Sequence, residues 1–243
     1  MARFFVDPKD MVSDSIILTG DNTAHAKVLR LKVDEQVVVC DGQGNECVCR
    51  VAALASDQLH LMVESRCEST AEPALRASVY MAFPKADKLE HVIQKATELG
   101  VYEIVVFPSA RCVSKPDMKS IQKKLERWQK IALSAAEQSG RGHVPRVIVL
   151  SSYTEALKRA TKADKAFLFY ENEHATTLRM ALEAGEYHSV SLLTGPEGGL
   201  EASEVELAKN AGLDICTLGK RILRCETAPL CALSAVMFHA GEF

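Results

Sequence analysis

The stretch ASVYMAFPKADKLEHVIQKATELGVYEIVVFPS, Ala77–Ser109, sets the fold class. Its first seven residues are apolar and rich in β-formers, which predicts a buried strand. Leu89, Val92, Ile93, Ala96 and Leu99 then recur at helical spacing, and Gly100 supplies the stop. Asp87 with Glu90 three residues on marks the helix start. A second apolar strand follows in YEIVVFPS. Strand, helix, strand in about thirty residues is a parallel crossover unit.

The rhythm continues downstream. A long amphipathic helix is expected from about Asp117 to Gln138, then the strand RVIVLSS and a helix from Thr154. The strand KAFLFY, a short helix from Thr176 and the strand VSLLTG follow. Ser203 and Glu206 suggest a capping box for the next helix. The strand DICTLG and a helix from about Glu226 to His239 close the chain. This is an α/β domain with a mostly parallel sheet covered on both faces.

Upstream the pattern is shorter. EQVVVCDGQGNECVCRVAAL reads as two strands joined by a turn at Asp41–Asn45, and DQLHLMVES as another strand. NTAHAKVLRL fits a short helix capped by Asn22 or Thr23. A small β-rich domain, a compact barrel, is expected there. The polar stretch SRCESTAEPALR is the linker, which puts the domains at 1–70 and 76–243.

Composition narrows the function classes. The 243 residues are 47% hydrophobic and 25% charged, ordinary for a globular protein. No apolar run reaches membrane-spanning length and the N-terminus lacks a signal-peptide core, so a cytoplasmic address without a membrane partner is expected. The eight cysteines are scattered, with no C-x-x-C, and read as reduced apolar side chains; no metal is expected. A net charge of -3 argues against a general nucleic-acid coat but leaves room for local basic patches. Candidates are HAKVLRLK, the run Lys119, Lys123, Lys124, Arg127 and Lys130, and SGRGHVPR.

Ligands of open parallel sheets gather at the carboxyl ends of strands. Three such ends stand out: FLFYENE, LLTGPEGGL (Leu192–Leu200) and LGKRILRCETAPL (Leu218–Leu230). Taken singly, Gly198, Gly199 and Glu197 could serve a turn and a helix start, and Ile222 and Leu223 could be core. Two long polar loops at neighbouring strand ends favour a site. The G-x-G-x-x-G and P-loop patterns are absent, so a nucleoside without a phosphate cluster fits better than a nucleotide.

Those last two motifs resemble the paired C-terminal motifs of the SPOUT superfamily of methyltransferases. HAKVLRLK, VIQKATELGV and WQKIALSAAEQSGR extend the likeness over the chain, which is similar to the bacterial uridine-N3 methyltransferases of small-subunit (16S) ribosomal RNA. The resemblance implies a PUA-like N-terminal RNA-binding domain, a C-terminal domain with a deep trefoil knot, and a homodimer. It implies S-adenosyl-L-methionine as cofactor, held by Leu193, Thr194, Gly195, Pro196, Gly198, Gly199, Leu218, Gly219, Ile222, Leu223 and Thr227, with Tyr170 and Glu171 near the methionine end. Lys220 departs from the proline common at that place.

Methylation of uridine N3 requires an exposed base and its deprotonated form. Arg224 is the first choice to stabilise negative charge on the uracil oxygens, and Glu197 or Glu226, or solvent, to take the proton. His25, Lys27, Arg30, Arg141 and His143 are the candidate RNA contacts. With aromatics at 6%, recognition should lean on phosphates and RNA shape. The competing readings are an enzyme of the same fold acting on another RNA and a catalytically silent RNA-binding ribosome-assembly factor.

Overall fold

The computed structural model describes residues 1–113, 118–183 and 185–243. Two compact units are present: Met1–Glu72 with Ala136–Val144, and Pro73–Ala135 with Pro145–Phe243.

The first unit is a curled five-stranded sheet. Its strands are β1 (Ala2–Phe5), β2 (Ser15–Thr19), β3 (Gln36–Cys40), β4 (Asn45–Leu54) and β5 (Gln58–Glu68), in the order β1-β3-β4-β5-β2. Only β1 and β3 run parallel. Alternation decides which face is buried. Val37 and Val39 of β3, Cys47, Cys49 and Val51 of β4, and Leu59 and Leu61 of β5 point into one core with Phe4, Ile16 and Leu18. Register shifts at Val48/Cys49 and Val51/Ala53 let β4 bend around that core.

The β3–β4 turn falls at Asp41–Asn45 as the sequence indicates; Asp41 Oδ1 accepts the N–H groups of Gln43 and Asn45. Strands β1 and β2 were not foreseen, because each is short and β2 alternates only Ile16 and Leu18 inward. Helix α1 (Asp21–Val28) begins one residue before the expected caps. Gly20, in the left-handed region at φ 61°, is its N-cap, and Asn22 instead donates from its amide to Phe5 O at 2.9 Å.

The second unit is a six-stranded, wholly parallel sheet. It comprises β6 (Arg76–Ala82), β7 (Glu103–Phe107), β8 (Arg146–Val149), β9 (Lys165–Phe169), β10 (Ser189–Thr194) and β11 (Asp214–Cys216), in the order β11-β9-β10-β6-β7-β8. Strand β10 enters between β9 and β6, both of which precede it in the chain. The helices are α2 (Lys88–Glu98), α3 (Met118–Ser139), α4 (Tyr153–Ala160), α5 (Leu178–Leu182), α6 (Ala202–Asn210) and α7 (Thr227–His239).

Helix α2 buries Leu89, Val92, Ile93 and Ala96 of the stripe read from the sequence, Leu99 is its half-buried C-cap, and Gly100 follows at φ 87°. Each of the large aliphatics contributes about 2 kcal/mol by burial, so Ile93→Asp would unseat the helix. The expected start of α3 at Asp117 lies outside the described residues, as does the side chain of Lys119. Helix α6 starts earlier than expected. Its N-cap is Glu201, whose N–H donates to Glu204 Oε2 at 2.9 Å, so the Ser203 and Glu206 box does not form. Glu204 outcompetes Glu206 because its other oxygen is already fixed by the N–H of Ala110.

Candidate functional site

Adjacent positions in the second sheet bring three strand exits together. Strands β11, β9 and β10 are neighbours, and their carboxyl ends lead into Thr217–Arg224, Tyr170–His174 and Thr194–Leu200. These segments, with Lys88, Phe169, Cys225 and Ala228, line one cleft of about 520 Å³, within the usual range for a small-molecule site. The cleft therefore sits at the carboxyl ends of its strands, where open parallel sheets take ligands.

The loop after β10 is compact for identifiable reasons. Gly199 N–H donates to Pro196 O at 2.9 Å, closing a tight turn. Gly199 has φ 67°, and a side chain there would run into the carboxylate of Glu171. A Cβ on Gly195 would lie 3.1 Å from Leu200 Cγ, and one on Gly198 3.2 Å from Arg111 Cβ. Arg111 also donates to Gly198 O at 3.1 Å, bracing the loop from the β7 exit. In the facing loop, Gly219 N–H donates to Thr217 Oγ1 at 3.2 Å and Gly219 adopts φ 107° with open space where a Cβ would sit.

Tyr170, Glu171, Thr194, Gly195, Pro196, Gly198, Gly199, Leu218, Gly219, Ile222, Leu223, Glu197 and Arg224 all line this cleft. Leu193 does not; it is fully buried in β10. Thr227 stands exposed at the first residue of α7, outside the lining. Ile222 is 85% exposed, so it flanks the opening and does not pack as core. Lys220, Arg221 and Arg224 are exposed and make no ion pair with the described residues.

Sequence reasoning missed Lys88. Its Nζ lies 3.2 Å from Glu197 Oε1 and 3.0 Å from Glu226 Oε2. Glu197 Oε1 also accepts the N–H of Lys85 at 2.9 Å. The hydrogen bond from its own backbone N–H, with Lys88 beside it, holds the Glu226 carboxyl down at about 2. Burial would raise Glu197, but the N–H of Lys85, its own N–H and Lys88 outweigh it and lower that carboxyl too. A hydrogen bond to Glu226 first, and Glu197 after it, raise the Lys88 ammonium. Ion pairing and N–H donors that favour the charged form lower the basicity of both carboxylates. Glu197 and Glu226, the two carboxylates offered as general bases, are thus both paired with one ammonium. Lys88 carried no sequence signal, since its partners lie more than a hundred residues away.

In the first unit, Lys27 and Arg30 border a groove of about 360 Å³ with Thr23, Ala26, Leu31, Leu54 and Leu59. Lys27 Nζ donates to Ser56 O at 2.5 Å, and Arg30 is exposed with φ 56°. His25 Nδ1 lies 3.5 Å from Glu137 Oε1, and its ring meets Phe4 edge-on. Arg141 departs from expectation. It is 3% exposed and pairs with Glu72 at 2.6 Å, so its charge is spent inside the unit and is not presented to a phosphate. His143 is half-buried and bridges by its backbone to Gly42 and Gln43.

A family model described as "RNA methyltransferase domain" matches residues 71–237, and one described as "RNA methyltransferase PUA domain" matches 18–64. The ribosomal RNA small subunit methyltransferase E of Bacillus subtilis is 36% identical, over 98% of this chain and 97% of its own length. Its Mycobacterium bovis counterpart is 32% identical over 96% and 90%. A crystal structure of the same-named enzyme from Neisseria gonorrhoeae, bound to S-adenosyl methionine, superposes with a TM-score of 0.86 at 31% identity, covering 98% and 97% of the two chains. A putative methyltransferase from Legionella pneumophila in complex with the same cofactor gives 0.87 at 27% identity, covering 98% and 97%. With the described geometry and these full-length matches together, the chain belongs to the ribosomal RNA small subunit methyltransferase E family.

Proposed function

We propose that this protein transfers a methyl group from S-adenosyl-L-methionine to N3 of a uridine in small-subunit (16S) ribosomal RNA. One observation carries the reading. Three strand exits converge on a cleft of nucleoside size whose rim holds the exposed cations Lys220, Arg221 and Arg224.

The residues present fit the cofactor. Phe169, Leu218, Leu223 and Ala228 offer apolar contact, and the glycine turns at 195–199 and 219 bring main chain, not side chains, to the cleft wall. Tyr170 and Glu171 stand at the β9 end. When bound, the cofactor supplies a methyl group already activated on a sulfonium.

The chain's own part is then positioning and electrostatics. Arg224, exposed at the cleft, donates to the uracil oxygens as negative charge grows there. Solvent takes the N3 proton, since Glu197 and Glu226 are anchored as anions by Lys88. In the first unit Arg30 and Lys27, with His25 nearby, hold RNA phosphates, and the apolar-floored groove beside them admits an unstacked base.

The first unit, which takes in Ala136–Val144 beyond the expected 1–70, acts as the PUA-like RNA-binding domain and the second unit as the transferase domain, cytoplasmic in location. The passage of β10 between β9 and β6 supports a trefoil knot in the path of the cleft loops. Among the described residues no helix is long and apolar enough to cross a membrane. Helix α7 leaves Cys231, Ala235 and Phe238 exposed along one face, which supports a homodimer packed on that face.

The test is calorimetric titration with S-adenosylhomocysteine, then methyl transfer to small ribosomal subunits lacking the mark, read by nucleoside mass spectrometry. Saturable binding with 3-methyluridine formed supports the reading. Binding of RNA without binding of S-adenosylhomocysteine would replace it with a silent assembly factor, and methylation only of other RNAs would move the substrate. A monomer by sedimentation at micromolar concentration would remove the dimer.

A further inference from the structure

Lys88 occupies the first position of α2, yet its partners come from two other places in the second unit. Glu197 sits in the loop after β10 and Glu226 immediately before α7. One ammonium therefore bridges the two loops that form the walls of the cleft, at 3.2 and 3.0 Å. Cys225 Sγ lies 3.6 Å away on the same nitrogen. We propose that Lys88 is a positioning residue for the cofactor cleft, setting the separation of its two walls by holding one carboxylate from each. The inference rests on the cofactor reading above and deepens it.

The chemistry suits lysine. An ammonium has three donors in a pyramidal array and no acceptor, which matches two carboxylates and a thiol. A guanidinium is planar and reaches farther, so it keeps the charge but not this geometry. The side chains are only 27%, 24% and 22% exposed, which sets the cluster apart from a solvent-screened surface pair. Glu197 is fixed twice over, to the segment joining β6 to α2 through Lys85 N–H and to the first residue of α2 through Lys88. Without the ammonium, two anions held against one point would repel each other and the walls would part.

The consequence falls on affinity. With the walls preset, binding need not order two loops; without Lys88, part of the binding free energy goes to closing them. Lys88→Met is expected to weaken S-adenosylhomocysteine binding at least tenfold and to raise KM for the methyl donor with a smaller change in kcat. KM for RNA should be unchanged. Lys88→Arg should recover part of the loss.

The decisive measurement is a double-mutant cycle by calorimetry, on full-length protein shown folded by circular dichroism. Lys88→Met is combined with Glu197→Gln and Glu226→Gln, and Lys88→Gln serves as a second replacement should the methionine variant not fold. Supporting the proposal, the loss from Lys88→Met largely vanishes once both carboxylates are neutral. Wild-type affinity in Lys88→Met or Lys88→Gln, or a loss that adds in full to that of the glutamine variants, would overturn it and leave the cofactor reading intact. Wild-type protein that fails to bind S-adenosylhomocysteine would overturn both.

Discussion

Arg141 donates from Nη2 to Glu72 Oε2 at 2.6 Å, while Glu72 Oε1 accepts the backbone N–H groups of Gly142 and His143 at 2.9 and 3.0 Å. One carboxylate thus anchors the 141–143 segment within the first unit, with the arginine side chain 4% exposed. Removing one partner of a buried pair strands the other charge. Arg141→Met is expected to destabilise the protein by about 3 kcal/mol, measured by urea unfolding. A change below about 1 kcal/mol would mean that solvent already screens the pair.

The same pair sets an acid limit. Burial by itself would raise the Glu72 carboxyl, but Arg141 and the two N–H groups outweigh it and hold it below its ordinary value of 4.5. A carboxyl lowered on folding adds stability that is complete above the unfolded value and is lost as pH falls through the folded one. Unfolding free energy should therefore decline below about pH 4.5. Glu72→Gln should be less stable at neutral pH and show a shallower acid slope. Identical slopes for the two proteins would exclude Glu72 as a source of acid sensitivity.

Gly199 and Glu171 test the cleft wall from the other side. A side chain at 199 has to adopt φ 67° and displace the Glu171 carboxylate. Relief of that clash and of left-handed strain worth roughly 1–2 kcal/mol shifts the turn and Glu171 out of the cleft wall, so Gly199→Ala should lower S-adenosylhomocysteine affinity roughly tenfold. Unchanged calorimetric affinity would show that this turn does not shape the site.

Ala86 adopts φ 53° in the segment between β6 and α2. An L-residue there carries strain that glycine relieves, offset in part by glycine's greater freedom when unfolded. Ala86→Gly should raise stability by about 0.5–1 kcal/mol, seen as a rise in Tm of about 2 °C. A lower Tm would show that chain entropy outweighs the strain.

Arg224→Ala should keep S-adenosylhomocysteine affinity and lose most methyl transfer, by about a hundredfold or more if it aids the developing anion. Full turnover in that variant would remove Arg224 from the chemistry. Glu226→Gln provides the contrast. A carboxyl held at about 2 is ionised throughout the neutral range, so its loss should not displace the pH–rate profile between pH 6 and 8.

Much of the fold was legible because its signals are local. A period of two in LHLM places Leu59 and Leu61 in a core, the continuous apolar run VVVC marks a strand buried on both faces, and a helical period places Leu89, Val92, Ile93 and Ala96 against a sheet. Gly199 and Gly219 are also local signals, since their positive φ is a property of the turn itself. Short elements with one or two inward residues, such as β2, lie below what periodicity resolves. The capping of α6 was misread because Ser203 and Glu206 fit the pattern equally well, and only the contact of Glu204 with Ala110 selects Glu201.

The amino-acid order alone determined the element types, the parallel character of the second sheet and the glycine turns that can bring backbone to a ligand. Tertiary structure decided the rest. It inserts β10 between β9 and β6, gathers three strand exits into one cleft, sets Lys88 between Glu197 and Glu226, and turns Arg141 inward to Glu72. The division has a physical cause. Propensity, period and turn geometry act over a few bonds, whereas charge pairing and strand order depend on which distant segments meet once the core is closed.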